Sequence, residues 1–292
     1  SSGSVSTSTN PADLSDVIGE FQASTSGDVN AAISAAHDVK ESWRRTSSLA
    51  RGGYLLKAAS YLEANTEEFA QALTRECGKA ILEARGEIGR AVALLQYYGV
   101  EGSNPVGSVV PSVNPNILLY TNRMPLGVVS LITPWNFPFA IPIWKMAPAL
   151  VYGNTIVLKP ASATPHVATL IARMWEAVDL PAGVFNLVTG SGAAVGNELI
   201  TNDKVAAISF TGSTRIGMNI AAESAQRGKR YQLEMGGKNP VIVLPDADLE
   251  QAAEITVSGA MKYSGQKCTA TSRAIVVGNV MEEFTNLVVE KT

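Results

Sequence analysis

From residue 28 to about residue 98, apolar positions return every three or four residues, as at Val29, Ile33, Ala36 and Val39, then Phe69, Leu73, Ile81 and Leu82. That spacing predicts three or four helices, each with one apolar face. Asn65, with Glu68 three residues on, predicts the capped start of one of them. Residues 104–115 hold three prolines and read as a loop. The β-rich runs at 117–120 and 128–132, on either side of Met124-Pro125-Leu126-Gly127, predict a hairpin or a protruding β arm.

Beyond the arm the pattern changes to short apolar runs alternating with helical stretches. Strands are predicted at 128–132, 155–158, 184–188, 206–210, 231–234 and 241–244, and helices over 142–151, 165–178, 193–200 and 214–227. Uniformly apolar strands separated by helices predict an α/β fold, a parallel sheet covered on both faces. In such sheets a ligand sits at the carboxyl ends of the strands.

Composition narrows the function classes. The 292 residues are 46% hydrophobic and 17% charged, which excludes disorder over most of the chain and predicts two domains or one large one. With 23 basic and 26 acidic residues the net charge is −3, so no positive field is present to draw nucleic acid. The apolar stretch 137–152 is broken by Lys145 and three prolines, which argues against a membrane span. The opening ten residues are polar and lack the charged and apolar segments of a signal peptide. Two distant cysteines, Cys77 and Cys268, suggest a reducing compartment, so a cytoplasmic protein is expected.

Five strand ends carry candidate chemistry, and each has a structural reading beside the functional one. In Thr133-Pro134-Trp135-Asn136-Phe137-Pro138 the asparagine amide could donate to a developing oxyanion, or satisfy its own backbone in a rigid turn. Lys159-Pro160-Ala161-Ser162 suits ribose hydroxyls or a phosphate, although a surface lysine is often only solvated.

Gly190-Ser191-Gly192 through Gly196, and Gly212-Ser213-Thr214-Arg215-Ile216-Gly217, each follow a strand and open a helix. Their N–H groups could face a pyrophosphate, or the glycines could serve tight turns; neither run is the strict dinucleotide fingerprint. Glu234 precedes Met235 and two glycines and suits a general base, or an ion pair with Lys238 or Arg230. Cys268 lies in the Gly-led segment Gly265-Gln266-Lys267-Cys268 and suits a nucleophile, whereas Cys77 reads as a packed hydrophobe. His37 and His166 leave a Cys-His hydrolase pair open; no metal site is expected.

Taken in order, Pro134-Trp135-Asn136, Lys159-Pro160-Ala161, Phe210-Thr211-Gly212-Ser213 with Gly217, Glu234-Met235-Gly236-Gly237-Lys238 and Gln266-Lys267-Cys268 resemble the NAD(P)-dependent aldehyde dehydrogenase superfamily. The resemblance runs from about Asn10 to the end. It is most similar to semialdehyde-oxidising members over 232–240 and 265–273.

The resemblance implies a Rossmann-like cofactor domain over 1–235, with N-terminal helices and an oligomerisation-type β arm at about 114–129. The start of a truncated α/β catalytic domain would follow over 236–292. It also implies that Cys268 attacks the aldehyde, that Asn136 and the Cys268 N–H hold the oxyanion, and that Glu234 activates the hydrolytic water. Lys159 and Ser162 would meet the adenosine ribose, Gly212 and Ser213 the pyrophosphate, and Trp135 and Met235 the nicotinamide half; Ile132, Gly192 and Gly217 complete the cofactor set.

NAD-preferring relatives often carry Glu at the position of Ser162, so NADP acceptance is expected beside NAD. The family continues well beyond Cys268, and the first strands of its usual N-terminus are expected to be absent here. The full-length form is expected to act on a small aldehyde as a homodimer or homotetramer. The alternatives are a non-catalytic NAD(P)-binding fragment and a Cys-dependent hydrolase.

Overall fold

Polar strands open the chain. The computed structural model describes residues 4–104 and 106–292. In it β1 (Val5–Asn10) and β2 (Asp13–Gln22) pair antiparallel, turned where Asn10 Oδ1 accepts from Ala12 N at 2.9 Å. The sequence pattern predicts no strand before residue 28, yet two form here. Val5, Thr7 and Thr9 favour extended backbone by β-branching, but their polar neighbours hide any apolar alternation.

Four helices follow: α1 (Ser26–Arg45), α2 (Ser48–Ala64), α3 (Thr66–Cys77) and α4 (Ile81–Glu101). Thr25 starts α1 with a capping box, exchanging hydrogen bonds with Asp28. The box predicted at Asn65 and Glu68 does not form. Asn65 is the N-cap residue of α3, as predicted, but its side chain serves α2, Nδ2 donating to Tyr61 O at 2.7 Å. Helices α2 and α4 meet at Gly52 and Gly99, so closely that a Cβ on Gly52 would lie 2.3 Å from the Gly99 carbonyl oxygen.

Two short strands, β3 (Val109–Val110) and β4 (Leu119–Tyr120), pair antiparallel. The 117–120 run therefore pairs with residues before it. The 128–132 run becomes β5 (Val128–Ile132) of the central sheet. After β5 come α5 (Ala140–Val151), β6 (Thr155–Lys159), α6 (Pro165–Ala177) and β7 (Phe185–Leu187). A π-helical turn, Gly192–Gly196, leads into α7 (Asn197–Thr201). Then come β8 (Val205–Gly212), α8 (Thr214–Gln226) and β9 (Arg230–Met235).

The sheet order is β7-β6-β5-β8-β9, with β5 parallel to both β6 and β8. The chain enters at the middle strand, winds outward through β6 and β7, then returns to the other side of β5 as β8. The crevice at the carboxyl ends of β5 and β8 is therefore the switch point where α/β sheets bind ligands. Trp43, Phe69, Leu95, Leu131, Phe139 and Trp175 fill one core beneath this sheet and its helices.

The chain divides into two compact units, Ser1–Thr211 with Arg215–Leu233, and Gly212–Thr214 with Glu234–Thr292. In the smaller one β10 (Asn239–Val243) and β11 (Thr271–Val276) pair parallel across α9 (Leu249–Met261), and α10 (Met281–Lys291) follows. The 241–244 run, expected to continue the central alternation, thus belongs to a separate two-stranded sheet around Val243, Ala253 and Phe284.

Candidate active site

Ile132 closes β5, with Lys159 beside it on β6 and Phe210 on β8. The main chain is knitted there by Thr133 N donating to Lys159 O at 3.1 Å. Lys159 is 5% exposed, and its Nζ donates to Pro160 O at 2.9 Å. Burial pushes its pKa below the ordinary lysine value. The Thr133 and Thr164 hydroxyls are buried and lack hydrogen-bond partners among the described residues. A buried cation with no carboxylate partner among the described residues, together with these unsatisfied hydroxyls, is a donor set that fits the phosphate and ribose of a nucleotide.

Ser162 is exposed, and its hydroxyl donates to Gly190 O at 2.9 Å. Gly190 has φ +134°, and a Cβ there would lie 3.0 Å from Val195 and 3.3 Å from Ser24 N, so glycine is required. Ser191 Oγ accepts from Ala194 N at 3.2 Å to open the turn that contains the exposed Gly192. Ser213 is exposed between β8 and α8, Gly212 is half-buried, and Gly217 is buried within α8.

Lys145, absent from the sequence-derived set, reaches from α5 to Ser209 Oγ (2.8 Å), Phe210 O (3.3 Å) and Gln232 Oε1 (3.1 Å). It borders a groove of about 380 Å³ with Leu131, Tyr152 and Arg230.

The segment between β5 and α5 carries Asn136. Trp135 is exposed and Asn136 half-buried. Asn136 Oδ1 accepts from Phe137 N at 3.2 Å, which fixes the amide so that Nδ2 is its donor end. Lys79 Nζ donates to the Asn136 carbonyl at 2.9 Å and forms a buried ion pair with Glu87. Glu87 Oε1 in turn accepts from Phe139 N and Ala140 N, both at 2.9 Å, where α5 begins.

Sequence reading missed this pair, although Glu87 left a signal. It sits on the same face of α4 as the buried Ala84, Ile88 and Ala91, an acid on an apolar stripe. Cys77 Sγ lies 3.8 Å from the Trp135 carbonyl, and burial pushes that thiol up to about 12.

In the smaller unit Glu234 is exposed near the end of β9, followed by the half-buried Met235. Cys268 is exposed in the loop before β11. Asn239 Nδ2 ties that loop to the start of β10, donating to Cys268 O at 2.7 Å and Ala270 O at 3.0 Å. Ahead of the loop Tyr263, Ser264 and Gly265 take φ of 56°, 52° and 69°. Left-handed backbone at two non-glycine residues is a strained arrangement of the kind functional loops retain.

Glu234 and Cys268 thus belong to one unit and Asn136 to the other. The histidines lie in the larger unit. The His37 ring is within 3.1 Å of Lys40 Nζ, and burial lowers the pKa of His166. Among the described residues no helix is long and apolar enough to cross a membrane.

Comparison with known proteins places these features in context. The model of the aldehyde dehydrogenase family matches residues 1–292. The α-ketoglutaric semialdehyde dehydrogenase of Bacillus subtilis (strain 168) is 52% identical over 283 residues, covering 97% of this chain and 58% of that protein.

Among solved structures, the NADP dependent enzyme of E. coli aligns with a TM-score of 0.95 at 37% identity, covering 99% of this chain and 60% of that one. PnpE in complex with nicotinamide adenine dinucleotide aligns with a TM-score of 0.94 at 37% identity, covering 99% and 59%. The chain therefore spans about three-fifths of the length of these relatives.

Proposed function

Because this chain belongs to the aldehyde dehydrogenase family, we propose that the full polypeptide carrying it oxidises an aldehyde, of the semialdehyde class, to the carboxylic acid with NADP or NAD. The observation that carries the reading is an exposed thiol, Cys268, on a loop tethered by Asn239, five residues after an exposed carboxylate, Glu234. The semialdehyde class is supported by the name of the Bacillus relative.

In this mechanism the Cys268 sulfur adds to the aldehyde carbon. The carbonyl π pair moves to oxygen, and Asn136 Nδ2 with the Cys268 N–H donates to that oxyanion. An aldehyde has no leaving group, so the covalent adduct precedes any oxidation. When bound, NAD(P) supplies the two-electron acceptor that allows this adduct to become a thioester on Cys268. Glu234 then takes a proton from water as its oxygen attacks the thioester carbon, and the carbon–sulfur bond breaks to release the acid.

Lys159, Thr133 and Ser162 would hold the adenosine ribose side, Gly192, Gly212, Ser213 and Gly217 the pyrophosphate, and Ile132, Trp135 and Met235 the nicotinamide half. The domain division we propose is a cofactor-binding domain over 1–235, which also lends Asn136 and Glu234 to the chemistry, and the start of a catalytic domain from 236 onward.

The β3–β4 arm exposes Val109, Val110, Leu119 and Tyr120. Apolar strand edges of this kind support assembly of the full polypeptide as a homodimer or homotetramer. The free state of both cysteines supports a cytoplasmic location. The test is an aldehyde panel with both cofactors on the full polypeptide, with Cys268→Ala as control. NADPH or NADH production by that variant would overturn the assigned nucleophile.

A further inference from the structure

We propose that Lys79 and Glu87 are positioning residues for Asn136, a clamp that fixes where the amide of the oxyanion donor points. The inference rests on the reading of Asn136 given under Proposed function, and it adds two residues that reading does not contain. Their side chains are 1% and 0% exposed. Burying two opposite charges carries a large desolvation cost, and a well-packed apolar pair of similar volume is often as stable. Stability alone is therefore a poor explanation for this pair.

What an apolar pair could not do is hold backbone. Lys79 takes the Asn136 carbonyl, and its ammonium also lies 4.5 Å from the centre of the Phe137 ring. Glu87 takes the N–H groups of Phe139 and Ala140. The ion pair thus grips the chain at residue 136 and again at 139, while Pro134 and Pro138 restrict the backbone on either side.

Within that grip the Phe137 N–H holds Asn136 Oδ1. The carbonyl of Asn136, the amides just after it and its own side-chain oxygen are thus each held, which restrains the direction of Nδ2. Lys79 reaches the site because Gly78 adopts φ +70° at the end of α3, turning the chain so that the next side chain points inward.

The experiment follows acylation of Cys268 by p-nitrophenyl acetate without nucleotide, in the full polypeptide. The sulfur–carbon bond forms, p-nitrophenolate leaves with the electron pair of the broken carbon–oxygen bond, and its absorbance reports the step. Lys79→Met and the double variant Lys79→Met/Glu87→Gln are each made with Asn136 intact and with Asn136→Ala. The double variant leaves no unpaired buried charge and keeps an acceptor for Phe139 and Ala140, so it tests the idea even where Lys79→Met alone unfolds.

With Asn136 intact, both variants are expected to slow acylation by about ten- to a hundredfold, the penalty of a donor displaced on the ångström scale. The ester concentration at half-maximal rate should stay within about twofold. In the Asn136→Ala background the same changes should cost less than about twofold, because the group they position is gone. Equal losses in both backgrounds would overturn the clamp and leave the Asn136 role standing, as would no loss in either. An Asn136→Ala variant as fast as wild type would instead overturn the oxyanion reading, and the clamp with it.

Discussion

Asn239 holds Cys268 by the backbone: its Nδ2 donates to the Cys268 carbonyl at 2.7 Å and to the Ala270 carbonyl at 3.0 Å. One amide thereby fixes the main chain on both sides of Thr269 to the start of β10. Asn239→Ala removes both donors from a loop that water reaches, so the stability cost should be modest, about 1 kcal/mol. The kinetic cost should be larger, roughly tenfold on the acylation burst, because the Cys268 N–H is set by the same backbone. Asn239→Asp should be worse, placing a carboxylate against two carbonyl oxygens. A burst rate unchanged in Asn239→Ala would show that the tether does not matter for the thiol.

The two cysteines should react differently. Burial raises the Cys77 thiol to about 12, with Lys79 only partly offsetting it, whereas Cys268 is exposed. At pH 8 a group of that pKa is ionised at about one part in ten thousand. Brief iodoacetamide treatment of the folded protein at pH 8 should alkylate Cys268 and leave Cys77 untouched. Peptide mass spectrometry reads the outcome, and comparable labelling at both sites would contradict it.

Among the clearest parts of the fold in the sequence are the strands buried on both faces. β5, Val128–Ile132, and β6, Thr155–Lys159, are nearly continuous in apolar residues because helices cover both sides. The opening hairpin was illegible because its strands are mostly exposed and carry no apolar period. Pairings such as Val109–Val110 with Leu119–Tyr120 involve two residues on each side, too few to write a pattern.

The candidate site divides in the same way. Asn136, Lys159, Glu234 and Cys268 stand where strands or helices end among glycines and prolines, which is a local signal. Lys145 lies inside α5 with nothing local to mark it, and although Lys79 follows Gly78 at the end of α3, it is the contacts to Asn136 O and Phe210 O that show the place of these two lysines.

The opening hairpin should respond to acid. Asp16 of β2 accepts from Arg75 of α3 at 2.9 and 2.5 Å, and from Asn10 Nδ2 at 3.1 Å. Those hydrogen bonds, Arg75 first, lower its pKa from 3.8 to about 2. A carboxylate depressed on folding stabilises the folded state above its unfolded pKa, and that contribution fades as pH falls through the folded one. Between about pH 4 and pH 2, hydrogen exchange in β1 and β2, corrected for the intrinsic rate, should accelerate more than in β5. Asp16→Asn should abolish this excess and leave the hairpin loosened at every pH. Because the pair is exposed, added salt should weaken the effect. Protection in β1 and β2 that tracks β5 throughout the window would show that the Asp16–Arg75 pair does not anchor the hairpin.

Cofactor choice is predicted from the surroundings of Ser162. Its hydroxyl is committed to Gly190 O, it stands exposed, and the nearby charge in sequence is the buried ammonium of Lys159, which has no carboxylate partner among the described residues. A phosphate on the adenosine ribose would meet a cation and no opposing acid, so NADP should be accepted by the full polypeptide, and at least as well as NAD. Ser162→Glu adds an acid at this position. Repulsion worth about 1.4 kcal/mol would lower kcat/KM for NADP tenfold, while NAD, which lacks that phosphate, should hold or improve. Lys159→Met should weaken NADP more than NAD through loss of the same charge, at the expense of nothing in the thiol chemistry, so the nucleotide-free acylation burst should be unchanged. Measured kcat/KM values for both cofactors decide it. A strong preference of the wild type for NAD, or a Ser162→Glu variant that loses both cofactors alike, would show that this serine does not set the choice.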